Sequence, residues 1–155
     1  MARTHLAAAA AAVTLFSSLA LAHFDEEQMP QSYRQSYFAL LAANFGPMAA
    51  TVKGDIPWDQ KAMEGWAHDL AALATLNVMR GFPDGSEQGT TRAKPEIWQN
   101  KADFESKLKD LDQALVALEK ATAGGDKKAI GAAVGDAGKA CKACHDEYKA
   151  ENYLN

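Results

Sequence analysis

The chain has 155 residues, a formal net charge of −4 and 48% apolar residues. That is the length and balance of one globular domain, and an acidic chain without a basic stripe is no nucleic-acid binder. Both of its cysteines lie in one short motif, so no disulfide framework holds the fold.

In chain order, the first segment reads as a leader. Arg3 supplies a positive start, Leu6 to Leu21 is uncharged and mostly Ala, Leu, Val and Phe, and Ala20-Leu21-Ala22 gives a small-x-small end before His23. This pattern predicts a cleaved secretory signal over 1–22 and a mature domain over 23–155. The apolar stretch is short for an anchor and no second one follows, so the domain is expected to be exported to the periplasm and not to span a membrane.

The remaining apolar residues recur with helical spacing. A first helix is expected from Met29-Pro30 to about Val52, with Pro47 kinking or tightening it. It carries two stripes, one of Tyr33, Tyr37, Leu40 and Asn44, the other of Arg34, Phe38, Leu41, Phe45 and Met48. Residues 53–57 read as a stop and a turn. A second helix is expected from Trp58 to Met79, followed by a long loop from Gly81 to Lys94, a length that often marks function. Pro95 opens a third helix, whose stripe runs from Trp98 to Leu118 and which Gly124-Gly125 ends. Asp126 caps a fourth that continues to about Tyr153. Four amphipathic helices with mostly short loops predict an all-α, antiparallel four-helix bundle.

The fourth helix carries Gly131, Gly135 and Gly138 beside its apolar stripe. Each interior Gly costs roughly 1 kcal/mol relative to Ala. Either something bulky approaches this face closely, or the helix is weak and held by packing.

Cys141-Lys142-Ala143-Cys144-His145 is the C-x-x-C-H haem-attachment signature. Residues three apart share a helix face, so both sulfurs reach the vinyl groups of one porphyrin, and His145, four on from Cys141, rises beneath the ring as the iron ligand. The expected cofactor is one covalent haem c with its iron. A zinc site would need four ligands, a thioredoxin-like pair a βαβ context, and a plain disulfide leaves His145 without a role. His68 sits on a polar flank of the second helix and reads as a solvated surface residue. Met48 and Met63 read as core filling.

Few residues follow His145, which excludes the common arrangement of an N-terminal haem motif with a later Met ligand. With this placement, the segments Tyr33-Arg34-Gln35-Ser36, Asn44-Phe45-Gly46-x-Met48, Val52-Lys53-Gly54, Lys94-Pro95-Glu96-Ile97-Trp98 and Cys141-Lys142-Ala143-Cys144-His145-Asp146 resemble the cytochrome c′ family, the class II c-type cytochromes, over the whole mature chain. The last two segments are the most specific.

The resemblance implies a bundle that is usually a homodimer, with Cys141 and Cys144 in thioether bonds and His145 as proximal ligand. It implies that Arg34 faces a haem propionate, that Gln35 and Thr91 contact the haem, and that Phe38 covers the distal face. A Met at Phe38's position ligates iron in the related low-spin c-556 type; a phenyl ring has no lone pair and cannot. The implied function is binding of diatomic gases (NO, CO) at a five-coordinate iron, electron transfer, or both. A six-coordinate electron carrier is the alternative. A haem peroxidase would need a distal acid/base that Phe38 does not supply, so no enzyme activity is expected. Lys149 takes a position where the family often has Arg, and reads either as a modulator of ligand exchange or as a solvated Lys. The first-helix stripe of Tyr33, Tyr37 and Leu40 offers a surface for the homodimer, with Tyr37 at its centre.

Overall fold

The computed structural model describes residues 28–154. The expected signal segment 1–22 and the cleavage before His23 lie outside the described residues. The elements are α1 (Met29–Lys53), α2 (Gln60–Leu73), a 3₁₀ turn (Val78–Gly81), β1 (Thr91–Ala93), a one-turn α3 (Glu96–Gln99), α4 (Lys101–Gly124), α5 (Lys127–Tyr148) and β2 (Lys149–Leu154).

Local chemistry sets most of the ends. Pro30 lies in the first turn of α1, where its missing N–H costs nothing. The helix runs on through Pro47 and stops at Gly54, whose φ of 85° lets its N–H reach Thr51 O while Asp55 N–H reaches Ala50 O. Asp59 caps α2 through Ala62 N–H, and Asp126 caps α5 through Lys128 N–H.

α4 packs against α5 and α2, and α1 against α2; α1 and α5 touch only sparsely. The bundle core is filled by Met48, Met63, Leu70, Leu118 and Ile130, all without exposed surface. Both methionines assigned to the core are therefore in it. His68 is exposed on its polar flank and meets Glu119 at 2.9 Å. Among the described residues no helix is long and apolar enough to cross a membrane.

The helix boundaries differ from expectation in three places. α2 stops at Leu73 rather than Met79: the N–H groups of Thr75 and Leu76 bond only three residues back, to Ala72 O and Leu73 O, and although the apolar periodicity continues through Leu76, that residue is half exposed. The third helix is broken at Asn100, whose φ and ψ of −126° and 44° separate α3 from α4. α5 ends at Tyr148, not Tyr153, and the chain goes into β2, which pairs antiparallel with β1.

The two stripes of α1 are also corrected. Tyr37 is buried in the monomer's core and packs edge-on against Phe38, and Tyr33 donates its hydroxyl to Asn77 O. Leu40 alone of the three apolar residues stays open to solvent, at 51%. The two stripes are offset by one residue, about 100° around the helix, and the bundle covers Tyr37 of the first as well as Leu41 and Met48 of the second.

The glycine face of α5 shows no close protein approach. A Cβ on Gly131 or Gly138 would meet its nearest neighbour, Val52 or Phe45, at an ordinary 3.7 Å, and one on Gly135 would meet nothing.

Candidate cofactor site

The weak contact between α1 and α5 leaves a cavity of about 520 Å³ between them, walled also by α4 and by the loop from Phe82 to Ala93. Cofactor sites commonly span roughly 300–1,000 Å³. Every residue assigned to the cofactor from sequence lines it: Arg34, Gln35 and Phe38 from α1, Thr91 from β1, and Cys141, Cys144 and His145 from α5.

Helical spacing brings the last three together. Both cysteines are free thiols, half-buried. Burial pushes the Cys141 thiol up and the Cys144 thiol up to about 11. His145 is held below the usual imidazole range by partial burial, then by the charges of Lys149 and Arg92. A neutral imidazole is the metal-binding form. Among the described residues no group of three or more His, Cys, Asp or Glu could hold a metal by itself.

Arg34 is only 2% exposed and does more than the sequence suggested. Its Nη1 donates to Gly81 O (2.9 Å) and Ser86 Oγ (3.2 Å), and its Nη2 donates to Ser86 O (2.9 Å) and Thr91 Oγ1 (2.9 Å). The guanidinium also lies over the rings of Phe82 and Trp98. Burial lowers its pKa to about 10, against the opposing pull of Glu87, so it stays charged at neutral pH. Both Nη groups tie the loop to α1, and only Nε is left buried without a partner. Gln35 likewise donates to Thr90 O, and Gln31 to Gln88 O. The polar residues expected to touch the cofactor thus first hold the wall of its cavity.

Sequence reasoning passed over three further cavity residues. Arg92 is the middle residue of β1 and donates to Ala150 O (2.8 Å) and Glu151 O, which fastens β2. Lys107 of α4 sits between Asp103 (3.4 Å) and Glu147 (3.5 Å). Tyr153 reaches the cavity from β2. Arg92 and Lys107 reach partners 40 or more residues away, Ala150 and Glu147, which no local pattern marks. Lys149, the first residue of β2, also lines the cavity.

The lining fits a haem. It is chiefly apolar, as a porphyrin face requires. Its charged members are Arg34, Arg92, Lys107 and Lys149, with no carboxylate among them, which suits a dianionic rim. The unpartnered Nε of Arg34 leaves one buried donor for a carboxylate.

A helical bundle with a porphyrin-sized cavity and a C-x-x-C-H motif on its last helix defines a c-type haem protein. The family model for cytochrome c′ matches residues 29–149, and the chain belongs to that family. It is 38% identical over 121 residues to cytochrome c′ of Cereibacter sphaeroides, covering 76% of this chain and 80% of that one. Cytochrome c′ from Shewanella frigidimarina superposes with a TM-score of 0.78 at 41% identity, over 83% of this chain and 99% of that one. A nitric oxide complex of a variant cytochrome c′ from Alcaligenes xylosoxidans superposes at 0.74 with 36% identity, over 83% and 99%. A cytochrome c′ with ligand-controlled dimer dissociation superposes at 0.75 with 27% identity, over 80% and 96%. Covalently attached haem c is the family's cofactor, and this chain carries the motif that holds it.

Proposed function

We propose that this is an exported, periplasmic haem protein in which His145 is the only strong protein ligand to the iron and small neutral diatomic gases, NO and CO, bind on the face covered by Phe38. The observation that carries this reading is the cavity lining: His145 is its one imidazole, and it contains no Met. Cys141 and Cys144 hold the haem by thioether bonds, and Arg34 offers its Nε to a propionate. The haem, once attached, supplies the redox chemistry and the gas-binding iron. Phe38 supplies no lone pair and no acid or base, only bulk and dryness, so the reading is a binding and electron-transfer protein rather than an enzyme.

The low-spin carrier needs a second strong ligand. Met48 and Met63 are buried in the bundle core, outside the cavity lining, which speaks against it. The decisive experiment is an absorption spectrum of the ferrous protein with and without CO or NO. A high-spin spectrum that shifts on adding gas supports the reading; a low-spin spectrum inert to both gases leaves electron transfer alone.

A homodimer through the first helices accompanies this reading, now resting on exposed Leu40 rather than buried Tyr37. Leu40→Lys should leave the fold intact and produce monomers at micromolar concentration in sedimentation.

A further inference from the structure

A second cavity of about 350 Å³ lies on the outer side of α4, against the turn that follows α2. Its rim is exposed: Leu76 and Asn77 from the turn, Glu105 and Lys109 from α4. Its most buried lining is apolar, Val78 at 6% and Leu108 at 5% exposure. Leu108 is the one residue that lines both this cavity and the cofactor cavity. Leu108 is thus a wall residue that the two spaces share.

Leu108 shares the lining of the cofactor cavity with Phe38, which packs edge-on against Tyr37 at 5.2 Å. A haem held by Cys141, Cys144 and His145 would fill much of the first cavity. A later, smaller guest then needs another way in. An apolar side chain with several rotamers is a door that a diatomic can pass and a hydrated ion cannot.

We propose that the second cavity is an antechamber for small neutral ligands, from which they pass Leu108 into the cofactor cavity beside Phe38. The proposal rests on the gas-binding reading above. It makes Leu108 and the antechamber determinants of rate and leaves Phe38 as the determinant of affinity.

The test exploits this difference. A barrier on a path changes entry and exit by the same factor and leaves the dissociation constant alone. Met79 lines the antechamber but not the cofactor cavity. In the ferrous holoprotein, Met79→Trp should slow CO association and dissociation together, by about ten-fold, within the range that variants of one site show. Leu76→Trp narrows the rim at an exposed position and keeps the test available if Met79→Trp does not fold. Leu108→Ala should speed both rates. Unchanged rates in both tryptophan variants, in folded protein, would overturn the proposal. If the wild type takes up no CO, the gas-binding reading fails, and xenon decides the cavity separately. A ¹²⁹Xe shift that Leu76→Trp or Met79→Trp abolishes supports the antechamber, and no xenon uptake overturns it.

Discussion

Arg34 and Gly81 are fitted to each other. The Gly81 carbonyl accepts from Arg34 Nη1 at 2.9 Å, and a methyl group placed on Gly81 would lie 2.9 Å from Arg34 Cβ and 3.2 Å from Arg34 N. The missing side chain at 81 is what lets the loop come down on α1, and the guanidinium then seals it there. Gly81→Ala should therefore destabilise the protein by ~1–3 kcal/mol, the usual cost of overpacking, in a urea or guanidinium melt. Arg34→Lys should also destabilise, because a point charge cannot serve Gly81, Ser86 and Thr91 together. Its signature should be faster proteolysis or hydrogen exchange confined to residues 82–93.

Attachment is tested chemically. One haem per chain should survive acid-acetone extraction and give a c-type pyridine haemochrome. Cys141→Ser with Cys144→Ser should make the haem extractable. His145→Ala should lose the native iron ligation even where the thioethers form. Extractable haem in the wild type would remove the basis of the functional reading.

Phe38 governs the spectrum. Phe38→Ala should open space beside the iron, tighten CO binding and accelerate it. The ring is only partly buried, so the stability loss should fall below the ~3–5 kcal/mol typical of a fully buried Phe. Phe38→Met offers a thioether at the same point and should shift the protein toward a six-coordinate, low-spin spectrum that resists CO. A CO affinity indifferent to both changes would mean that gas does not bind on this face.

Asp112 gives a pH dependence. Partial burial raises its carboxyl from 3.8 to about 6. The folded state then holds a proton that the unfolded state has released. Stability from this group is fully present below pH 3.8 and declines as pH rises through about 6. The carboxyl keeps contact with solvent, so the loss should be only about 1 kcal/mol after screening. Asp112→Asn should be more stable than wild type at pH 7, and the difference should vanish near pH 4, read from melts across that range.

What could be read in the sequence was what repeats locally. The spacing of Cys141, Cys144 and His145 places three groups on one helix face whatever surrounds them. Arg34 and Phe38, one turn apart, share a face for the same reason. The cavity wall could not be read. Arg34 binds the carbonyls of Gly81 and Ser86, and Arg92 those of Ala150 and Glu151. A backbone carbonyl is the same in every residue and leaves no mark in the sequence. Tyr37 misled in a different way: an aromatic on a helix stripe says that the face is covered, not whether its own monomer or a second copy covers it.

The pairing of β1 with β2 joins residues 91–93 to residues 149–154. The strand that completes the wall is made after α4 and α5, the helices whose folding brings its partner within reach. Closure is therefore a long-range step of folding, and long-range pairing is slow because loop-closure entropy must be met first. On a chain still emerging in the N-to-C direction, the thiols of Cys141 and Cys144 appear before the residues that will close over them.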